Sequence, residues 1–192
     1  MKLKRAVAAV LSTAVVIGSS GCGTVGARKD MPAIDGLLKS FNTSLNSLDC
    51  DGLRVLTDWN ENDFDYSNIE DLLDVTYYGD TEGEGFVSCA GYIASTIMID
   101  YDIKALKSYG NKASLEVQYE FVDWRTVYSW PHESYDDVLN DLRNSDETMT
   151  VFTNIVFEKV DGEWRLCQIY DLNEVLGFIH SVPVVSVKTG GV

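Results

Sequence analysis

The chain reads as an α+β domain in which N-terminal helices pack on a curved antiparallel sheet. Three observations predict this class. Apolar residues recur at three- and four-residue spacing in the first half, at Ile34, Leu37, Leu38, Phe41, Leu45 and Leu48. In the second half they alternate at strand spacing, as in Leu115, Val117, Tyr119 and Phe121. The dipeptide Asp161-Gly162 falls between two strand-like runs, where both residues suit the left-handed backbone of a type I′ hairpin turn. Helices in one block and strands in another favour an α+β layer arrangement over an alternating α/β one.

Composition bounds the possibilities. The 192 residues are 45% hydrophobic and 11% aromatic, enough to bury a core, which excludes a wholly disordered chain. The length suits one domain, or one with a tail. The formal charge of -15, from 15 Lys+Arg against 30 Asp+Glu, opposes a nucleic-acid surface, because phosphate binding needs clustered cations.

Residues 1–21 have the form of a secretory signal: basic Lys2, Lys4 and Arg5, an apolar run from Ala6 to Ile17, and small residues to Gly21. The run is too short to span a bilayer. Gly18-Ser19-Ser20-Gly21-Cys22 resembles a bacterial lipobox, which implies lipid attachment at Cys22 and an extracytoplasmic, membrane-anchored protein. Ser19 stands where lipoboxes usually carry an aliphatic residue, and the competing reading is a secreted protein cleaved near Gly21. Residues 22–32 are then the lipidated cysteine and its tether, 33–180 the domain and 181–192 a C-terminal tail. Removing the three signal-peptide cations takes the charge from -15 to -18, so attachment is expected to come from the anchor.

The same cut leaves Cys50, Cys89 and Cys167, at most one bridge and one spare thiol in an oxidising compartment. Cys50 with Cys89 is the favoured disulfide, since both fall in the helical half and Cys167 inside a strand. No metal or cofactor is expected: there is no CxxC, and His132 and His180 are the only histidines. Asp58, Asp63, Asp65, Glu70 and Asp71 begin like a calcium loop, but Asp63 stands where that loop needs glycine, and a solvated acidic loop is the plainer reading.

A helix is expected from Met31 to Leu48, then a short one through Leu53, Val55 and Leu56 with Asp49 or Asp51 as its cap. An acidic irregular stretch follows, with a weak helical piece at 69–74 and turns over 79–85. A third helix is expected through Phe86, Cys89, Ala90, Ile93 and Ala94. In the first hairpin, matching apolar faces calls for a three-residue loop, Tyr109-Gly110-Asn111, with Tyr101 opposite Tyr119 and Lys104 opposite Glu116. In the second, Glu158 pairs with Arg165, Phe157 with Leu166, Ile155 with Gln168 and Thr153 with Tyr170. Met149 to Phe157, apolar on both faces, reads as a central strand. Between the hairpins lie an aromatic loop and a short helix at about 135–143.

The helix break at Leu48-Asp49-Cys50-Asp51-Gly52-Leu53 and the late hairpin Phe157-Glu158-Lys159-Val160-Asp161-Gly162-Glu163-Trp164-Arg165-Leu166 resemble the nuclear-transport-factor-like (cystatin-like) cone superfamily, and among its members small bacterial lipoproteins. The likeness covers about residues 33–172. It implies a sheet curled around a long helix with a cone-shaped cavity, used by isomerases, dehydratases and cyclases and also by non-catalytic binding domains.

On the inner face so derived, Tyr101, Tyr119, Thr153, Gln168 and Tyr170 are the expected pocket residues, and Asp123 is the one carboxylate placed to act as a general base. Trp124, Tyr128, Trp130, His132 and Tyr135 form a candidate interaction loop, with core cover as the alternative. The expectation is a surface-anchored lipoprotein acting as a non-catalytic binding or interaction module, its partner a small ligand or a surface protein. The alternative is a small isomerase or lyase using Asp123.

Overall fold

The computed structural model describes residues 24–58, 73 and 76–186. The signal segment, Cys22, most of the acidic stretch and residues 187–192 lie outside them. The described chain is α+β, with helices packed on a curved five-stranded antiparallel sheet that does not close into a barrel.

Helix α1 (Thr24–Asn46) places Ile34, Leu38, Phe41 and Leu45 on one fully buried stripe, each side chain contributing about 1.5–3 kcal/mol of burial. It starts seven residues before Met31, so the stretch read as tether is already helix from Thr24 onward. What holds that first part is Asp30, whose Oδ1 accepts from Trp164 Nε1 at 3.2 Å and from Lys159 Nζ at 3.3 Å. Helix α1 ends where Leu48 turns into the left-handed region at φ +52°. Asp49 then caps α2 (Cys50–Leu56), accepting from the Gly52 N–H at 2.9 Å. A Cβ on Gly52 would sit 2.4 Å from Asp49 Oδ2 and 2.6 Å from Ser44 Oγ, so this junction needs glycine.

Helix α3 (Thr76–Glu82) runs through Gly79, where turns were expected; the turn is confined to Gly83, at φ +81°. Helix α4 (Glu84–Ser95) buries the predicted set Phe86, Cys89, Ala90, Ile93 and Ala94.

The sheet comprises β1 (Met98–Asp100), β2 (Lys107–Tyr109), β3 (Lys112–Val122), β4 (Thr148–Val160) and β5 (Glu163–Ile169), in the order β1-β3-β4-β5 with β2 also on β3. Strand β4 is central, as its two-sided apolar pattern predicted. Two departures from the expected registers decide which side chains face inward. In the first hairpin the loop has two residues, since Tyr109 pairs with Lys112, and Gly110 takes φ +66° as the first position of a type II′ turn. Face matching by parity holds only along one continuous strand. Instead residues 101–106, including a 3-10 turn at Ile103–Ala105 capped by Asp102, loop out opposite 115–117. Ile99, not Tyr101, therefore lies opposite Tyr119, and Lys104 is not opposite Glu116.

The second hairpin has its type I′ turn, with Asp161 at φ +51° and Gly162 at +90°. Glu158 pairs with Arg165 and Phe157 with Leu166 as expected. Cys167 is then an extra, unpaired residue, so Val156 pairs with Gln168 and Ile155 with Ile169. This β-bulge exchanges the two faces of β5 beyond it.

Between β3 and β4 lie α5 (Trp124–Tyr128) and α6 (Tyr135–Asn144), the latter capped by Ser134. After β5 come α7 (Leu172–Val175) and a 3-10 turn, Gly177–His180. The start of the predicted tail is docked: the His132 N–H donates to Val184 O at 2.8 Å, and the Ser186 N–H to His132 O at 2.8 Å. The core runs from Ile34 to Ile179.

Candidate functional site

The residues expected to share a pocket are dispersed by the bulge and the interrupted hairpin. Tyr119 is fully buried in the core, and its hydroxyl has no hydrogen-bond partner among the described residues. Burial pushes that phenol well above its usual range. Thr153 is buried on the inner face, its Oγ1 donating to Tyr170 O at 2.8 Å. Tyr170 and Gln168 sit beyond the bulge, where inward-facing Ile169 takes the core position; the Tyr170 hydroxyl donates to Gln168 Oε1 at 2.8 Å. Tyr101 lies in the looped-out segment and donates to Asp35 Oδ1 at 2.9 Å. Burial first, and then this bond, push the Tyr101 phenol up to about 12. Lys39, followed by Tyr101, holds the Asp35 carboxyl below its usual range.

Replacing Tyr119 by phenylalanine is expected to raise stability by about 1 kcal/mol, because a buried hydroxyl without a partner is costly. Urea unfolding of the variant checks this; a loss of stability would mean that the hydroxyl is satisfied.

Asp123, the one candidate base, is the cap of α5. Its Oδ1 accepts from the Thr126 N–H at 3.2 Å and its Oδ2 from Thr126 Oγ1 at 2.7 Å, so both oxygens are engaged locally. Asp123→Ala should cost about 1 kcal/mol, while Asp123→Asn, which retains a capping oxygen, should unfold close to wild type. Both roles leave Asp123→Asn stable, and a catalytic base would be marked by loss of activity in that variant.

Two shallow surface concavities are also present. One lies beside α1, lined by Asp30, Leu37, Lys159 and Trp164; the other lies at the α3–α4 junction, lined by Asp80, Glu84 and Val87. None of the predicted pocket residues lines either.

The aromatic loop splits in two. Trp124 and Tyr128 are buried against each other edge to face, ring centroids 5.4 Å apart, and cover the core as the alternative reading had it. Tyr135, half-buried, donates to Glu82 Oε2 at 2.6 Å and so ties α6 to α3. His132 is buried, its backbone paired with the C-terminal segment and its Nε2 3.3 Å from Asp141 Oδ2. Trp130 remains 40% exposed. Two residues on, His132 holds the docked segment, in which Val182 and Val184 are also exposed, the latter 56%. The valines were read as tail; the β-branched run Val182-Pro183-Val184-Val185 was the available signal.

The disulfide expectation is corrected, since Cys50, Cys89 and Cys167 are all free thiols. Cys50 opens α2, which packs on α1, whereas Cys89 lies on the side of α4 that packs on α6 and points its Sγ at Tyr135 O, 3.6 Å away. Shared helical character did not bring the two onto facing surfaces. Burial pushes the Cys89 thiol up to about 11, which keeps it protonated at neutral pH. Of the calcium-loop residues, Asp63, Asp65, Glu70 and Asp71 lie outside the described residues. Among the described residues no cluster of three or more His, Cys, Asp or Glu is placed to hold a metal, and no helix is long and apolar enough to cross a membrane.

Fold and site together define an α+β domain with a helix-backed, curved antiparallel sheet, in which the C-terminal segment docks on the aromatic loop and Trp130, Val182 and Val184 stay exposed. No protein-family model matches the chain, and no curated protein matches it.

Proposed function

We propose that this chain is a surface-anchored bacterial lipoprotein of nuclear-transport-factor-like type, held by a lipid on Cys22 and acting as a non-catalytic interaction module. The observation that carries the interaction reading is the exposed indole of Trp130, in the loop on which the C-terminal segment docks, with Val182 and Val184 of that segment also exposed. Exposed aromatic and aliphatic side chains of this kind suit a protein contact, with Trp130 as the anchor. The engagement of both Asp123 oxygens by Thr126 and the dispersal of the predicted pocket residues weigh against the isomerase or lyase alternative and against a small ligand inside the sheet. The α1 helix lying along a curved sheet supports the superfamily resemblance.

A photo-crosslinking residue at position 130, incorporated in the producing cell, should give one defined protein adduct, while the same residue at Glu116 on the exposed face of β3 should give none. Equal labelling at both positions, or a small molecule co-purifying with the native protein, would overturn the interaction reading.

A further inference from the structure

We propose that the end of the domain formed by the start of α1 and the tips of the two hairpins is a membrane-facing surface that seats on anionic lipid headgroups and points the exposed Trp130 away from the bilayer. The proposal rests on the lipid-anchor reading and adds an orientation to it.

Three parts of the chain converge at this end. Asp30 near the start of α1 holds Trp164 and Lys159 of the second hairpin. The Lys159 N–H donates to Asn111 O at 2.8 Å, in the turn of the first hairpin, and Lys112 pairs with Glu158. Helix α1 then runs away from them and ends beside the junction of α4 and β1, where the Asn46 amide nitrogen donates to Ile97 O at 2.8 Å. Thr24, the first residue of α1, is two positions after Cys22, a span of about 7 Å even when extended. A lipid on Cys22 therefore brings this end, and no other, to the bilayer surface. A ten-residue flexible tether would have left orientation free; the helix and its Asp30 clasp remove that freedom.

Charge is divided along the same axis. Residues 24–30, 107–114 and 156–165 carry six cations (Arg28, Lys29, Lys107, Lys112, Lys159, Arg165) against four acids (Asp30, Glu158, Asp161, Glu163), a net +2 in a chain of -15. Lys112, Lys159 and Arg165 are paired with Glu158, Asp30 and Glu163, whereas Arg28, Lys29 and Lys107 are exposed and in no ion pair among the described residues. At the opposite end, residues 123–148 carry two cations against seven acids, a net -5. Screening decides which end the bilayer senses. Helix α1, 23 residues, is about 34 Å long, and the Debye length is about 8 Å at physiological salt, so the distal acids are more than two screening lengths away. The near end, by contrast, lies within one. Tyr109, 59% exposed at the tip of the first hairpin, adds an amphipathic ring of the kind that resides at headgroup depth.

The test uses the native acylated protein in nanodiscs of phosphatidylglycerol and phosphatidylcholine, with gadolinium on a fraction of the headgroups, read as paramagnetic relaxation of backbone amides. Gly110 and Gly162 should relax several-fold faster than Trp130 and Glu133. That difference should shrink in discs of phosphatidylcholine alone and in Lys29→Glu/Lys107→Glu. Equal relaxation at the two ends, with the protein still on the disc, overturns the orientation and leaves the anchor standing. A bias unchanged in phosphatidylcholine, an arm that needs no variant, overturns the role of headgroup charge. An N-terminal peptide without an acyl group on Cys22 sinks the anchor reading and this proposal with it, and mass spectrometry separates that case from the others.

Discussion

Replacing Trp164 by alanine is expected to cost about 3–5 kcal/mol, among the largest single losses available in this chain. The indole is 8% exposed, is covered by the Lys159 ammonium 4.8 Å from its ring centroid, and donates to Asp30. Truncation opens a void between α1 and β5, and it leaves the mostly buried Asp30 carboxylate with Lys159 as its one remaining partner among the described residues. Trp164→Phe keeps most of the ring and loses the charged hydrogen bond, so a cost of about 1.5–3 kcal/mol is expected. Urea unfolding measures both. Hydrogen exchange then separates local from global effects: amides from Asp30 to Ile34 should lose protection first. If they keep it while the protein is destabilised, Trp164 is a core residue but not the clasp that holds the start of α1.

Phe41→Ala should cost a similar amount, about 3–5 kcal/mol, for a different reason. Phe41 lies fully buried on the stripe of α1 that packs toward the sheet. In a filled interior its removal costs both the transfer term and the cavity term. Were the sheet wrapped around an open cone, as the resemblance implied, the void would already exist and only the smaller transfer term would be lost. Phe41→Leu, which refills most of the space, should recover more than half of the loss. With domain stabilities of about 5–15 kcal/mol, the alanine variant would lose a large share of the total.

Much of the fold was legible because its signals are local. The 3.6-residue stripe of α1, the Asp49 cap of α2, the apolar face of α4, the two-sided β4 and the Asp161-Gly162 turn each depend on residues within a few positions of one another. The site was less legible, and the reason is specific. Which face a strand residue occupies depends on an unbroken count along the strand, and one added residue reverses every position beyond it. Cys167 is such a residue, and it turned Gln168 and Tyr170 away from the interior. The loop at 101–106 took Tyr101 off the ladder opposite Tyr119 and onto Asp35 of α1, because Asp102 favours a local 3-10 cap over continued strand pairing.

The sequence by itself determined the class, the central strand, the second hairpin and the acidic balance. These follow from periodicity, turn chemistry and composition, which need no knowledge of partners. Only the tertiary structure decided that the three cysteines stand apart, that Asp123 spends its carboxylate on a cap, and that the supposed tether is helix clasped by Trp164 and Lys159. It also decided that His132 is covered by the C-terminal segment while Trp130 is not. Each of these depends on which distant segments meet, and burial and pairing between segments far apart in the chain leave no periodic trace in it.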